Sequence, residues 1–290
     1  MQPRILLFDI GNTSVKIGLA NENSVLTSYA LRTQAGQTSD DFGLSLLRLL
    51  AHAGVQPIQI AACAASSVVP DFDPLLRTSV ARYLGCPLVR VGKELFVPLE
   101  NRYARPQEVG ADRLVGAFAA RRLYPETPSL LVVDFGTAMT IDCVARNAYE
   151  GGLIFPGPAT ALDALARQAA KLPRIDLDAG GENLMPGRDT VTSIRHGLIY
   201  GFACMVEGLT QRLRKQLPEP VNILGTGGFA PTIASVSTVF DAVRPSLLLE
   251  GLRRLYYEHK DGREIARPEE QRLCVRHTKT SPQGQKECRS

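Results

Sequence analysis

Two short stretches of the sequence place an aspartate at the end of an apolar, β-prone run and a glycine two positions later. The first is Asp-Ile-Gly-Asn-Thr-Ser-Val-Lys (9–16), and the second, Asp-Phe-Gly-Thr-Ala-Met-Thr, begins at Asp134. The glycine permits a tight turn whose backbone N–H groups can face an anion. Lys16 adds a compact positive charge, and Asp9 could hold Mg²⁺ directly or through water. These stretches therefore favour phosphate binding.

Either stretch alone is equally typical of an ordinary β-hairpin turn, because Asp-x-Gly turns are frequent. The pair is more specific than either member, since two facing hairpins can hold a polyphosphate from both sides. We therefore expect the two stretches to act together.

Two further motifs contain residue types that suit a nucleotide or a reacting hydroxyl. Gly225-Thr226-Gly227-Gly228 follows a predicted strand at 221–224 and precedes a helix, so its backbone could approach a ribose or a phosphate. It matches neither the Walker motif nor the dinucleotide fingerprint. Gly110-Ala111-Asp112-Arg113 opens a predicted helix, where the helix dipole favours the Asp112 carboxylate. An ordinary capping aspartate beside a surface arginine is the alternative for this motif.

The apolar pattern predicts the elements that must position these motifs. In the first half it predicts strands at 4–10, 15–20, 25–32, 58–69 and 87–91, with helices at 39–53 (capped by Ser39 or Asp40) and about 71–83. In the second half it predicts strands at 129–134, 139–146, 150–155 and 221–224, with helices at 111–123, 159–170, 190–216, 230–235 and 245–258. Each half runs strand, Asp-x-Gly, strands and helices, which indicates a duplicated α/β fold.

Composition limits the class of protein. The 290 residues carry a formal charge of +4, and residues 261–290 contribute seven basic and five acidic groups to it. The rest of the chain is nearly neutral, so we expect no nucleic-acid partner and no membrane partner. No apolar run reaches membrane-spanning length, and Asp9 interrupts the N-terminus too early for a signal peptide. Six cysteines without CxxC or zinc spacing indicate a reduced, cytoplasmic protein.

Taken together, the motifs resemble the type III pantothenate kinase family, within the acetate and sugar kinase, Hsp70 and actin superfamily. The resemblance spans about residues 4–258. The matching stretches are 9–13, Ser-Ser-Val-Val-Pro (66–70), Tyr103 to Arg113, 134–138, Gly-Gly-Leu-Ile-Phe-Pro-Gly (151–157), Ala-Lys-Leu-Pro (170–173), Thr190 to Gly201, and 225–228.

The resemblance implies ATP-dependent phosphorylation of pantothenate, the first step of coenzyme A synthesis. It implies that Asp112 accepts the proton of the pantothenate hydroxyl, that Asp134 binds K⁺ or NH₄⁺, and that Asp9 lies near Mg²⁺ or another divalent ion. The implied ATP-binding residues are Asp9, Ile10, Gly11, Asn12, Thr13, Ser14, Val15, Lys16, Thr137, Gly225, Gly227 and Gly228. The implied pantothenate-binding residues are Tyr103, Gly110, Ala111, Asp112, Arg113 and Thr190, although Tyr103 could be a packing aromatic and Thr190 an ordinary helix cap.

The resemblance also implies the organisation of the whole chain. We expect two actin-like (ribonuclease H-like) domains with mixed sheets flanked by helices, at 1–115 and 116–259, and an active site in the cleft between them. Residues 260–290 have little apolar periodicity, and we expect a disordered tail there. The family forms homodimers, and an apolar stripe along 190–216 suits packing. The alternative function is a nucleotide-binding transcriptional accessory protein of the same fold.

Overall fold

The computed structural model describes residues 3–34, 36–169, 172–173, 175–177 and 183–260. The first half contains β1 (Arg4–Ile10), β2 (Ser14–Ala20), β3 (Val25–Arg32), α1 (Ser39–His52), β4 (Ile60–Ser67), α2 (Phe72–Tyr83) and β5 (Leu88–Arg90). The second half contains β6 (Glu100–Asn101), α3 (Ala111–Leu123), β7 (Ser129–Phe135), β8 (Ala138–Ala145), β9 (Ala148–Pro156), α4 (Pro158–Gln168), α5 (Thr190–Arg214), β10 (Val221–Gly227), α6 (Ala230–Ala234), β11 (Ala242–Val243) and α7 (Leu247–Lys260).

The strands form two mixed sheets with the same topology. The first sheet has the order β3-β2-β1-β4-β5, with β1, β2 and β3 antiparallel and β4 and β5 parallel to β1. The second repeats this order as β9-β8-β7-β10-β11 and adds the short strand β6 beside β9. The α/β class and the duplication expected from the sequence are therefore confirmed.

Three local predictions need correction. The strand predicted at 58–69 begins with a 3₁₀ turn at Pro57–Gln59, since the proline favours the start of a helical turn over a strand interior. The cap of α1 is Thr38, whose hydroxyl accepts the Asp41 N–H at 3.1 Å while Asp41 accepts the Thr38 N–H at 3.1 Å. The strand predicted at 221–224 continues to Gly227.

Two helices lie between the sheets and join their cores. One apolar cluster contains Leu7 from the first sheet, Val132 from the second, and residues of both α3 and α7. These helices approach each other closely at Gly251 of α7, where a Cβ atom would come within 2.8 Å of the Val115 carbonyl and 2.7 Å of the Ala119 Cβ. The two halves therefore share buried apolar surface through α3 and α7.

The packing of α1 on α2 depends on a glycine. A Cβ atom at Gly43 would lie well inside van der Waals contact with the Tyr83 ring, whose hydroxyl is held by Asp40 at 2.7 Å. We expect Gly43→Ala to destabilise the protein by about 1–3 kcal/mol, because the overlap outweighs the helix-propensity gain of about 1 kcal/mol. Urea unfolding measures the difference.

The control for this prediction is a second helical glycine, Gly116 of α3, where an added Cβ would meet nothing within 4 Å. Gly116→Ala should be neutral or stabilise by about 0.5–1 kcal/mol. Equal unfolding midpoints for the two variants would contradict the proposed contact between α1 and α2.

The predicted domain boundaries at 115 and 259 stay predictions. Lys260 is the last residue of α7, and residues 261–290, where we expect the disordered tail, lie outside the described residues. Among the described helices, none combines the length and the apolar character that crossing a bilayer requires.

Candidate functional site

The two Asp-x-Gly hairpins occupy equivalent places in the two sheets and touch each other. The Gly11 N–H donates to the Ser14 carbonyl at 3.0 Å in the first turn, and the Gly136 N–H donates to the Ala138 carbonyl at 3.1 Å in the second. The Thr137 hydroxyl donates to the Thr13 hydroxyl at 2.9 Å. The structure thus brings the two predicted phosphate-binding turns together across the molecule.

Each hairpin begins with the aspartate that the sequence singles out. Asp9 is opposite Lys16 in the β1–β2 register, and the Lys16 Nζ lies 3.6 Å from the Asp9 carboxylate. Asp134 is opposite Thr140 in the β7–β8 register and opposite Thr226 in the β7–β10 register. Both carboxylates therefore stand at the carboxyl end of a central strand, β1 in the first sheet and β7 in the second.

Other residues of the first hairpin face the apolar core. Ile10 and Val15 are each 1% exposed, so only their backbone groups can face a ligand. Asn12 and Thr13 are exposed at the turn, and Ser14 is partly buried. The polar donors of this stretch therefore come from the turn itself.

The glycine motif after β10 packs against the second hairpin. Gly227 has a φ of +88°, and a Cβ atom there would overlap the Asp134 carboxylate and the Phe135 backbone. Gly225 lies against the Phe240 ring, and Gly228 has nothing within 4 Å of where its Cβ would be. The close approach to Asp134 requires glycine at 227, which places this motif beside the second hairpin.

Asp112 lies in the first turn of α3. Its Oδ1 atom accepts the Arg113 N–H at 2.8 Å, and its side chain covers Gly110, the residue that precedes the helix. A Cβ at Gly110 would overlap this carboxylate and come within 3.4 Å of Val68. Gly110 therefore lies between the Asp112 carboxylate and Val68, in the segment that follows β4.

Asp9, Asp112, Asp134 and Lys16 form a charged cluster in which neighbouring charges shift the pKa values of the three carboxyl groups. Burial raises the pKa of Asp9 to about 6, an effect that Lys16 opposes and Asp112 reinforces. Burial raises the pKa of Asp134 to about 7, again opposed by Lys16 and reinforced by Asp9 and Asp112. The pKa of Asp112 is raised mainly by burial. Three carboxylates share Lys16 as an opposing charge, so the cluster attracts cations.

One atom of the cluster fits a cation directly. The Oδ1 atom of Asp134 is buried and has no hydrogen-bond partner among the described residues, an arrangement that costs free energy unless a cation or a donor occupies it. Within the same residues, no group of three or more His, Cys, Asp or Glu side chains is arranged to hold a metal ion. An unpartnered carboxylate oxygen beside the two phosphate-binding turns suits a cation that offsets phosphate charge.

Arg113 is held by a buried acid that the sequence analysis missed. Its Nε donates to the Asp142 Oδ1 at 2.8 Å, and the same oxygen accepts the Tyr149 hydroxyl at 2.8 Å. The Thr140 hydroxyl donates to the other Asp142 oxygen at 2.9 Å. Asp142 is 2% exposed. A charged residue inside an otherwise apolar strand was the available signal, because such residues are rarely buried without a partner.

Two predicted substrate residues lie in different surroundings. The Tyr103 ring centroid is 6.5 Å from that of Tyr149, beside Arg113, which places Tyr103 at the edge of this network. Thr190 is exposed in the first turn of α5, whose cap is Asp189. Across the described ranges, no hydrogen bond or ion pair joins Thr190 to the other predicted site residues.

Comparisons with a protein-family model and with known sequences point to the same family over most of the chain. The family model for type III pantothenate kinase matches residues 5–212. A type III pantothenate kinase of Desulfovibrio desulfuricans is 72% identical over 260 residues, which cover 90% of this chain and 99% of that protein. The enzyme of the same description from Nitratidesulfovibrio vulgaris strain DP4 is 58% identical and covers 89% of this chain and 98% of its own length.

Solved structures share the fold at low sequence identity. A conserved putative Baf family transcriptional activator from Campylobacter jejuni superposes with a TM-score of 0.56 at 16% identity, covering 89% of this chain and all of that one. The ethanolamine utilization protein EutJ from Carboxydothermus hydrogenoformans superposes with a TM-score of 0.52 at 13% identity. The match covers 88% of this chain and 90% of that one. These likenesses concern the fold alone. The family model and the sequence relatives together show that this chain belongs to the type III pantothenate kinase family.

Proposed function

We propose that this kinase transfers the γ-phosphoryl group of ATP to the primary hydroxyl of pantothenate, giving 4′-phosphopantothenate in the first step of coenzyme A synthesis. The observation that carries the proposal is the position of the partly buried Asp112 carboxylate, whose charge acts on the aspartates of both hairpins. Phosphoryl transfer needs positioning and charge neutralisation more than strong base catalysis. A carboxylate beside two phosphate-binding turns meets that need.

The nucleotide end of the site is assigned to the two hairpins and the glycine motif. The turn amides of residues 9–16, with Lys16, would face the phosphates, together with the Thr137 hydroxyl on the opposite hairpin. Gly225, Gly227 and Gly228 would lie along the nucleotide. Because Gly227 has no side chain, this glycine motif can pack directly against Asp134. Mg²⁺ near Asp9 and K⁺ or NH₄⁺ at Asp134 would neutralise phosphate charge.

The acceptor end of the site is assigned to Asp112 and its neighbours. Asp112 orients the attacking hydroxyl and accepts its proton late in the transfer. Its raised pKa makes it a better proton acceptor than an exposed carboxylate. Gly110 and Ala111 shape the turn in front of it, and the residues assigned to pantothenate binding are Tyr103, Arg113 and Thr190.

Arg113 acts in this proposal as a rigid donor. Its side chain is 10% exposed and is held by Asp142, so the guanidinium is fixed before substrate arrives. A fixed arginine loses little side-chain freedom when it binds a carboxylate or phosphate.

We predict that Asp142→Asn raises the KM for pantothenate about 10-fold or more and changes the KM for ATP much less. The variant removes the charge that orients Arg113 and leaves a buried guanidinium without its counterion. Tyr149→Phe removes one hydrogen bond to the same carboxylate and should give a smaller effect in the same direction. Steady-state kinetics with each substrate varied decides this, and an equal rise in both KM values would contradict the assigned role.

A direct product assay tests the proposed reaction. Purified protein is incubated with ATP, Mg²⁺ and pantothenate, and ³¹P NMR follows the appearance of a phosphomonoester beside ADP. The matched control replaces pantothenate with its analogue lacking the primary hydroxyl, which should give no phosphomonoester. Absence of product with pantothenate in K⁺, NH₄⁺ and Na⁺ buffers would overturn the proposal.

We also propose a cytoplasmic homodimer. The outer face of α5 supports this, because Gly197 and Gly201 are exposed there and Met185, which lies beside them, is 58% exposed. Much of the stripe predicted on this helix instead packs on the second sheet, as at Phe202. Light scattering should give twice the chain mass, and Gly201→Arg should reduce it.

A further inference from the structure

Two cysteines outside the proposed active site lie in contact with each other. Cys63 is in the interior of β4 and is fully buried, whereas Cys86 lies between α2 and β5 and is partly exposed. Their Sγ atoms are 3.6 Å apart, and both thiols are free. The pair is thus one buried thiol behind one that solvent reaches.

The sheet already holds the two backbone segments together. The Cys63 N–H donates to the Pro87 carbonyl at 2.8 Å, and Cys63 is opposite Leu88 in the β4–β5 register. A disulfide has an S–S bond of about 2.05 Å, so the two sulfurs must approach by roughly 1.5 Å. Rotation of the side chains can supply much of this movement because the backbones are neighbours.

The two thiols are chemically unequal. A hydrogen bond from Cys63 lowers the pKa of Cys86, while burial raises the pKa of Cys63. Since the thiolate is the reactive form, Cys86 combines exposure with the greater reactivity. Cys63 is positioned to react with whatever forms on Cys86.

We propose that Cys63 and Cys86 are a modification site, at which a peroxide converts the thiol pair into a reversible disulfide. The Cys86 thiolate attacks one peroxide oxygen, the O–O bond breaks, hydroxide leaves, and Cys86 becomes a sulfenic acid. The Cys63 sulfur then attacks the Cys86 sulfur, the S–O bond breaks, and the Cys63 proton leaves with the hydroxyl as water. The two sulfurs together supply the two electrons that reduce the peroxide.

The cross-link has two physical consequences. It closes a loop that contains all of α2, which restricts the unfolded chain and stabilises the first sheet. It also consumes the sulfenic acid before a second oxidant can convert it to the irreversible sulfinic acid. The buried Cys63 therefore protects Cys86.

The test treats the full-length protein with hydrogen peroxide, blocks remaining thiols, digests without reductant and maps the peptides by mass spectrometry. We expect a Cys63–Cys86 linked peptide that dithiothreitol removes, and an upward Tm shift of about 5 °C in the oxidised protein. The exposed Cys204 is the matched control, and Cys204→Ser should keep both the link and the Tm shift. Cys274 and Cys288, which lie outside the described residues, are followed in the same peptide map.

Two variants separate this pairing from simple exposure. Cys86→Ser should leave Cys63 unmodified, and Cys63→Ala should let Cys86 proceed to the sulfinic acid. Sulfinic acid forming on Cys86 equally fast in the native protein and in Cys63→Ala would overturn the proposal. So would the absence of the linked peptide after prolonged treatment with excess hydrogen peroxide.

Discussion

Replacing Asp112 with asparagine should lower kcat by about 10²–10⁴-fold while the protein stays folded. The asparagine keeps the size and the hydrogen-bonding oxygen of the side chain, but it cannot accept the proton of the attacking hydroxyl. The KM for ATP should change little, because the nucleotide is assigned to the hairpins. Burial raises the pKa of Asp112, so removing its charge should not lower the Tm. Steady-state kinetics and thermal melts measure both effects.

The matched control for this variant is Glu126→Gln, which removes an acid from an exposed position outside the site. Its kcat should equal that of the native protein. If Asp112→Asn kept the kcat of the native protein, Asp112 could not be the proton acceptor. A comparable fall in Glu126→Gln would attribute the effect to overall charge instead.

Replacing Asp134 with asparagine should make the nucleotide-free protein more stable at pH 8 by about 2–4 kcal/mol, since each unit of pKa shift corresponds to about 1.4 kcal/mol. The native pKa of about 7 lies above the usual 3.8, so the folded state holds this proton more tightly than the unfolded chain. As the pH rises from about 4 to 7, the unfolded state loses its proton first, and stability falls. Asparagine carries no such proton, so the gain should grow with pH.

Thermal melts at pH 5 and pH 8 provide the measurement. The Tm difference between Asp134→Asn and the native protein should be larger at pH 8, and a constant difference would contradict the raised pKa. Addition of K⁺ should raise the Tm of the native protein at pH 8 and leave that of the variant unchanged, since a cation bound at Asp134 favours the charged form. K⁺-dependent activity in Asp134→Asn would remove the cation role from this residue.

The parts of the site that the sequence predicted are those built from local turn chemistry. A buried strand followed by Asp-x-Gly dictates a carboxylate beside a tight turn, wherever the rest of the chain goes. Because the strand followed by Asp-x-Gly occurs twice in the sequence, it also predicted the duplicated sheets. The helix predicted to begin at residue 111 placed Asp112 in a first helical turn. The contact between the Thr13 and Thr137 hydroxyls follows from facing turns, although no local pattern fixes its geometry.

The missed parts depend on contacts between distant segments. Arg113 and Asp142 are 29 residues apart and meet only because α3 packs beside β8. The register that brings Gly227 against Asp134 likewise requires the parallel pairing of β10 with β7. Side-chain alternation within one strand cannot reveal which distant strand lies beside it.

The tight contact at Gly251 has a consequence for the evolution of this enzyme. Helix α3 begins at Ala111, carries Asp112 in its first turn and continues through the core that both sheets share, so its axial position determines where that carboxylate stands. Gly251 of α7 sets that position through its contact with Val115 and Ala119, which leave no space there for a side chain. Selection for catalytic rate should therefore constrain a buried glycine that touches no ligand, and substitutions there should impair turnover before they unfold the protein.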